Sequence, residues 1–237
     1  MARTPTTIIL DIETGPLPVS RREFLRPSPD NIKTGNLKDP AKIAAKLAEA
    51  QAEFYEKQEK EKADFESGDG AALNAMSGRP LLAGMLIRGE VVQIYDDDES
   101  RLLRRTWDML QSNAVDRIVG HNVIGFDARF LVRRSFVLGV GVPGNMLDDL
   151  HRYQPDIWTD TMHIWGAGDR KAMISLSNLC GAMGIPSPKG GTITGATFAA
   201  NWDAGNRDAC LDYNRADLES VSAIYDRWTR WTCGGAA

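Results

Sequence analysis

The sequence predicts an α/β fold in which helices cover a mixed β-sheet. Strand-like and helix-like segments follow one another in the order β, β, β, α, β, α, and further helices complete the chain. The composition, with 43% apolar and 25% charged residues, is typical of a soluble globular protein. A chain of 237 residues can bury an adequate core in one domain. We therefore predict a single domain over residues 1–237, with a long loop-plus-helix insertion over 16–79.

The first part of the chain combines one strand, one helix and two loops. Alternation along the strand places Ile9, Asp11 and Glu13 on one face. The residues after it are dense in proline, glycine and asparagine, which indicates a loop. Asp39 and Pro40 are typical of a helix start, and the thin apolar stripe behind them places this helix on the surface. The predicted elements are a strand over 6–14, a loop over 16–38, a helix over 39–62 and a loop over 66–78.

The second part predicts the rest of the sheet and its covering helices. Arg88, Gly89 and Glu90 separate two β-rich segments and predict a hairpin turn between antiparallel strands. The segments that follow have apolar residues at helical spacing, apart from one short buried strand between the first helix and the second. The predicted strands cover 80–87, 91–95 and 117–120, and the predicted helices cover 99–113, 126–138, 175–183 and 208–231.

Charge and cysteine content limit the possible functions. A net charge of −4 argues against a protein that coats nucleic acid through a general positive field, so any such contact must be local. Cys180, Cys210 and Cys233 are widely spaced and form no CxxC pair, which argues against a disulfide framework or a zinc knuckle. We expect a reducing cytoplasm, bacterial or that of a phage-infected host. Neither a signal peptide nor a membrane span is expected.

Asp11 and Glu13 form the first candidate site. Their carboxylates point to the same side of the strand, about two residues apart, where they can share a cation. The alternative is a solvated strand end, because the pattern is short and common. A second acid, Asp127, follows a buried strand and a polar turn at the start of a helix. Its alternative role is that of a helix-capping residue.

Tyr213 and Asp217 form the third segment of interest. They are four residues apart on the closing helix, so they share a face. Asp217 falls within the inward apolar stripe of this helix, which consists of Leu218, Val221, Tyr225 and Trp228. An unpaired carboxylate there is costly and requires a partner, either a basic side chain or a metal ion.

A convergence of these four acids would require cations. Carboxylates about 4 Å apart repel by several kcal/mol per pair at an effective dielectric near 20. Oxygen-only ligation favours Mg²⁺ or Mn²⁺ over zinc. A pair of such ions is the usual arrangement for in-line attack on a phosphodiester.

The three segments together resemble the motifs of DEDD exonucleases, in matching order. The step from Asn122 to Asp127 is similar to that in the proofreading domains of family B DNA polymerases, and Tyr213 implies the DEDDy branch. The resemblance covers residues 6–15 and most of 80–229, and it also extends to stand-alone phage exonucleases. It implies an RNase H-like fold. Unlike the polymerases, this protein is expected to have no polymerase domain, and the sequence carries a long insertion after Glu13.

The resemblance also implies roles for individual residues. Asp11, Glu13 and Asp217 would hold the catalytic metal, Asp11 would bridge to a second metal supported by Asp127, and Tyr213 would orient the attacking water. The expected activity is 3′→5′ hydrolysis of single-stranded DNA or DNA 3′ ends with two Mg²⁺ or Mn²⁺ ions. RNA as substrate, or an inactive nucleic-acid-binding module, are the alternatives. Three residues of the motifs are expected to contact the substrate: Thr14, Asn122 and Phe126.

The insertion begins with a basic segment. Residues 16–46 contain seven basic and three acidic residues, a local net charge of +4. Because this segment leaves the strand that carries Asp11, its arginines, Arg21, Arg22 and Arg26, are expected to hold single-stranded phosphate backbone. A solvated loop or a self-association surface is the alternative. Lys189, in a predicted flexible turn with Gly195, is a further candidate phosphate contact, whereas His163 is interpreted as structural.

Overall fold

The structure, a computed structural model, contains a mixed five-stranded sheet. It describes residues 6–18, 33–66, 68–169, 171–186 and 193–232, without the side chains at 61, 64–66 and 68–69. The strand order is β3-β2-β1-β4-β5. β4 is parallel to both β1 and β5, whereas β2 and β3 are antiparallel. The bounds are β1 Thr7–Pro16, β2 Gly78–Ile87, β3 Glu90–Ile94, β4 Arg117–Gly120 and β5 Trp158–Asp160. The predicted α/β class with a mixed sheet is confirmed.

Nine helices accompany the sheet within the described residues. The predicted helices lie within one or two residues of their expected starts, because their apolar periodicity and caps are clear in the sequence. Asp98, for example, caps the third helix by accepting from the backbone of Ser100 and Arg101. The bounds are α1 Pro40–Glu66, α2 Gly68–Leu73, α3 Glu99–Ser112, α4 Asp127–Leu138, α5 Gly144–Leu150, α6 Thr161–Gly166, α7 Leu176–Met183, α8 Gly195–Asp203 and α9 Arg207–Thr232.

The register between β1 and β4 positions the end of β1. Ile9 is opposite Val119, so Gly120, the last residue of β4, is opposite Leu10. Asp11 and Glu13 therefore lie beyond the end of β4. The chain leaves β4 at this edge and enters the turn that leads to Asp127.

The long helix α9 packs on the face of the sheet that carries the odd-numbered residues of β1. Leu218, Val221 and Tyr225 contact Ile9 and Val119. Leu218 and Val221 are almost fully buried, which contributes about 1.5–3 kcal/mol for each side chain. This packing confirms the inward stripe predicted for the closing helix, and it brings Asp217 to the same face as Asp11 and Glu13.

Two loop predictions were wrong in part. The predicted loop over 66–78 contains α2, in which Ala71 is fully buried and its carbonyl accepts from the Ser77 hydroxyl at 3.0 Å. This tertiary packing overrides the weak helix propensity of the glycines. Gly195, expected in a flexible turn, is the first residue of α8, because Thr194 provides a capping box with Thr197.

The chain divides into two compact units. Pro16–Gly78 forms one unit, and Met1–Gly15 with Arg79–Ala237 forms the other. The sheet and α3–α9 belong to the second unit, which carries all the acids discussed above. The division into one domain with an insertion over 16–79 stays a prediction. In the described parts of both units, no helix combines the length and the hydropathy needed to cross a bilayer.

Candidate metal centre

Three carboxylates from two elements meet at the end of β1. Asp11 and Glu13 extend from β1 and Asp217 from α9, and one oxygen of each lies within 4.8 Å of the others. Glu13 is 7% exposed and Asp217 is 8% exposed. Asp11 and Glu13 share a face because they are two residues apart in a strand. Asp217 reaches them because α9 packs on that face.

The pKa values of these acids reflect their burial and mutual repulsion. Burial raises the pKa of Asp11 well above its usual range, and the charges of Glu13, Asp127 and Asp217 raise it further. The pKa of Glu13 is raised by burial and by Asp217. Burial raises the pKa of Asp217 to about 6. Without a cation, the site therefore resists full ionisation at neutral pH.

Asp127 lies beside this trio and is anchored to β1. Its Oδ1 accepts a hydrogen bond from the backbone N–H of Ile12 at 2.9 Å. Asp127 is not the N-cap of α4, because that position is occupied by Phe126, which makes no side-chain cap bond. Burial raises the pKa of Asp127 to about 7. The N-cap alternative is therefore wrong, and Asp127 instead lies in the first turn of α4.

The donor set fits divalent cations with hard oxygen ligands. All three clustered groups are carboxylates, and among the described residues no lysine or arginine forms an ion pair with any of them. A structural salt bridge to Asp217, the alternative that the sequence leaves open, is thus not formed by the described residues. Buried, unpaired carboxylates are tolerated where a cation neutralises them.

Asn214 is a buried residue that contacts the acids, and the sequence did not predict this role. It is fully buried, and its Nδ2 donates to Oδ2 of Asp11 at 2.8 Å. Its Oδ1 accepts from Gln93 Nε2 at 3.2 Å. A Cβ at Gly84 would lie only 1.9 Å from the same Oδ1, so β2 requires glycine there. Helical spacing gives a signal, because Asn214 is three residues before Asp217 on the inward face.

Tyr213 lies next to the acid trio, and its ring belongs to an aromatic cluster. Its ring lies 6.0 Å from that of Phe198, between centroids, and packs against the core that contains Trp202. Burial and the nearby charges of Asp217 and Glu13 raise the pKa of Tyr213. The hydroxyl therefore stays protonated at neutral pH and is available as a hydrogen-bond donor beside the acids.

The turn between β4 and α4 is held by Asp160, the last residue of β5. This buried carboxylate accepts from the backbone N–H groups of Asn122 and Ile124 at 2.9 and 3.1 Å, and from Met162 at 2.9 Å. Asn122 has a left-handed φ of 62°, a conformation that asparagine tolerates. Asp160 thus fixes the segment that delivers Asp127 through hydrogen bonds, and the interpretation of His163 as structural stays a prediction.

The predicted substrate contacts differ in how much the structure says about them. Thr14 is half-buried on β1 beside Glu13. Phe126 is also half-buried, and its ring lies 5.4 Å from that of Phe130, between centroids. Contact of Thr14, Asn122 and Phe126 with a substrate stays a prediction. Four further candidates lie outside the described residues: Arg21, Arg22, Arg26 and Lys189.

The acids of the site lie on β1, in the middle of the mixed sheet, and on α9. Residues 86–233 match a family model described as "Predicted 3'-5' exonuclease related to the exonuclease domain of PolB". This match spans more than half of the chain, so the protein belongs to that family. Asp127, Tyr213 and Asp217 lie within the matched segment, and Asp11 and Glu13 precede it. The predicted resemblance is confirmed.

A solved structure shows the same fold. The family B DNA polymerase from the hyperthermophilic archaeon Pyrobaculum calidifontis matches with a TM-score of 0.57 and 16% sequence identity. The match covers 95% of this chain and 24% of the polymerase chain, so this chain spans about a quarter of the polymerase's length. At this identity the likeness shows the fold alone. A search of curated proteins gave no match.

Proposed function

We propose that this protein is a two-metal 3′→5′ exonuclease that hydrolyses single-stranded DNA from its 3′ end. The observation that carries the proposal is the trio of half-buried Asp11 with buried Glu13 and Asp217, which lie within 4.8 Å of one another and have no cationic partner among the described residues. Membership in a family of predicted 3′-5′ exonucleases supports the same chemistry. The −4 net charge is consistent with an enzyme that contacts nucleic acid locally.

Each acid has a distinct part in this proposal. Asp11, Glu13 and Asp217 would hold one divalent ion, and Asp127 would support a second together with Asp11. Mg²⁺ or Mn²⁺ would lower the pKa of bound water and offset the charge that develops on the phosphate. The hydrogen bond from Asn214 fixes the rotamer of Asp11, and the bond from Ile12 fixes that of Asp127. The protein thereby keeps its ligands in place before the ions arrive.

Tyr213 is proposed to position the attacking water. Its protonated hydroxyl lies at the edge of the trio, close enough to Asp217 for each group to affect the pKa of the other. A phenol that stays un-ionised can donate or accept a hydrogen bond while the water loses its proton to solvent. The ring is held by Phe198, so the position of the hydroxyl is set by packing.

The test is a nuclease assay on end-labelled strands of DNA and of RNA, with Mg²⁺, with Mn²⁺ and with a chelator. We expect 5′-labelled DNA to shorten one nucleotide at a time, 3′-labelled DNA to release labelled mononucleotide at once, and the chelator to stop both. Shortening of RNA at an equal or greater rate would overturn the choice of DNA. Internal cleavage, or activity in the chelator, would overturn the proposed mechanism.

Variants of the acids make this assay specific. Asp11→Asn and Asp217→Asn each remove a ligand charge without changing core volume, so both proteins should fold. We expect each to retain less than about a tenth of wild-type turnover, a loss of at least roughly 1.4 kcal/mol of transition-state stabilisation. The matched control is Asp156→Asn, whose side chain is 72% exposed and far from the trio in the sequence. It should leave turnover unchanged.

A further inference from the structure

We propose that a second site, the cavity formed by Arg79, Tyr95, Trp202 and Arg207, binds the phosphate backbone of the nucleic-acid strand upstream of its 3′ end. The proposal rests on the proposed exonuclease function and extends it to a part of the surface that the acid trio does not include. The cavity has a volume of about 390 Å³. Its arginines come from β2 and from the start of α9, and both elements also position the acid trio.

The strongest observation is a pair of buried guanidinium nitrogens to which the described residues offer no hydrogen-bond partner. Nε of Arg79 and Nη1 of Arg207 are buried, and neither has a hydrogen-bond partner among the described residues. A guanidinium stays charged at any physiological pH. Buried donors of this kind are costly unless an acceptor satisfies them. Phosphate oxygens fit best, because guanidinium groups bind them through paired, charge-assisted hydrogen bonds.

The acids at the cavity do not neutralise this pair. Asp96 is already bound by Arg101 at 2.9 Å and lies 3.9 Å from Arg105, which offsets its charge. Asp97 is exposed to solvent. Within the described part of the chain, neither Arg79 nor Arg207 forms an ion pair with a carboxylate. The two guanidinium charges are therefore available to an anion.

The aromatic residues of the cavity suit a nucleotide better than a free anion. The Arg207 guanidinium lies 3.7 Å from the centre of the Trp202 ring, which restricts its orientation. Tyr95 packs edge-on against Trp202, with 5.6 Å between the ring centroids, and is 47% exposed. An exposed, packed tyrosine beside a phosphate-binding arginine pair is a typical stacking platform for a base of a single strand.

The cavity is connected to the acid trio by a row of aromatic rings. Trp202 stacks on Phe198 with a centroid distance of 5.7 Å, and Phe198 is 6.0 Å from Tyr213. Two ring-to-ring steps thus separate the cavity from the residue proposed to position the water. A strand whose 3′ end lies at the trio can place a nearby upstream nucleotide at the arginines.

The test is binding of a labelled strand of about 12 nucleotides, as DNA and as RNA, measured by fluorescence anisotropy in chelator so that no hydrolysis occurs. For Arg79→Gln combined with Arg207→Gln, we expect binding to weaken about tenfold or more. The slope of log affinity against log salt should fall by about 0.7 to 1.4, because the pair neutralises one or two phosphates of a single strand. The matched control is Arg104→Gln with Arg133→Gln, which removes equal charge from exposed positions on α3 and α4.

Binding of the cavity variant within about twofold of the control variant would overturn the proposal. Hydrolysis of a p-nitrophenyl ester of a nucleoside monophosphate with Mn²⁺ separates this outcome from failure of the proposed function. Such an ester is too short to reach the arginines, so the cavity variant should hydrolyse it at the wild-type rate. Absence of hydrolysis by the wild-type protein would count against the exonuclease function itself.

A measurement on the wild-type protein covers the case in which the variant fails to fold. Nitration of tyrosines, read by mass spectrometry, should be reduced at Tyr95 by the bound strand. Tyr153, which is 83% exposed and does not line the cavity, is the internal control and should react equally with and without the strand. Equal nitration of Tyr95 in both conditions would overturn the proposal without any substitution.

Discussion

Asn214 holds the carboxylate at the centre of the proposed site. We predict that Asn214→Ala weakens binding of Mn²⁺ about 10- to 100-fold, the usual effect of losing a residue that orients a ligand. The reason is that Asp11 loses the 2.8 Å hydrogen bond from the buried Asn214 amide, which holds its carboxylate in one orientation. The measurement is isothermal titration calorimetry with the folded variant. Asn113→Ala, which removes a surface amide bonded to the Met109 carbonyl, is the control. Equal affinity in both variants would contradict the role.

A substitution at Tyr213 can distinguish an effect on the chemical step from an effect on metal binding. We predict that Tyr213→Phe lowers the single-turnover rate about 10- to 1,000-fold, because the ring still packs on Phe198 but no hydroxyl positions the water. Mn²⁺ affinity should stay at the wild-type value, since the phenol is not proposed as a ligand. An unchanged single-turnover rate would remove Tyr213 from the mechanism, and a large loss of metal affinity would make it a ligand instead.

At the scale of elements, the turn between β4 and α4 depends on a single carboxylate of β5. Asp160→Ala would leave the buried N–H groups of Asn122 and Ile124 without acceptors. We predict a loss of about 2–6 kcal/mol in the free energy of unfolding, since each of the two unsatisfied donors costs roughly 1–3 kcal/mol. Urea denaturation measures it. Asp156→Ala, an exposed acid nearby, should cost less than about 0.5 kcal/mol; equal losses would show that Asp160 does not hold the turn.

The elements that could be predicted from the sequence are those long enough to show a regular pattern of apolar residues. α9 shows its inward stripe over many turns, and β1 shows dense β-branched residues. Three elements between residues 144 and 166 were missed, because their lengths of three to seven residues are too short to display a period. They are ordered by hydrogen bonds to side chains instead, such as those that Asp149 accepts from the backbone N–H groups of Ile157 and Trp158.

In the candidate site, too, some residues could be predicted from local patterns and others could not. Asp11, Glu13 and Asp217 could be placed together because strand alternation and helical spacing fix their faces. The close approach of Asn214 to Gly84 joins two residues 130 positions apart, and no local pattern encodes it. The arginine cavity likewise combines β2 with α9 across the fold. Its members are ordinary surface residues in the sequence, so only the structure reveals them as a pair.

At the scale of the whole molecule, the buried acids make stability depend on pH and metal. Burial raises the pKa of Asp217 to about 6 and that of Asp127 to about 7, both from a usual value of 3.8. In the unfolded chain these groups ionise near pH 4. Between about pH 4 and pH 7 the folded state therefore binds more protons than the unfolded state, so metal-free stability falls as pH rises through this window. Below it, the stability is fully present.

We therefore predict that the metal-free protein melts at a lower temperature at pH 8 than at pH 5, and that Mg²⁺ or Mn²⁺ reverses the loss at pH 8. A cation that binds only the folded, ionised site stabilises it by mass action. The reversal should be much smaller at pH 5, because protons then compete for the same carboxylates. Thermal melts at both pH values, in chelator and in metal, measure all four states. Asp11→Asn removes one of the clustered charges and should reduce both the pH dependence and the metal effect, whereas Asp156→Asn should leave both intact. The melting temperature of the metal-free protein could instead stay level or rise from pH 5 to pH 8, in both the wild type and Asp156→Asn. That result would show that folding does not raise the pKa values of these carboxylates.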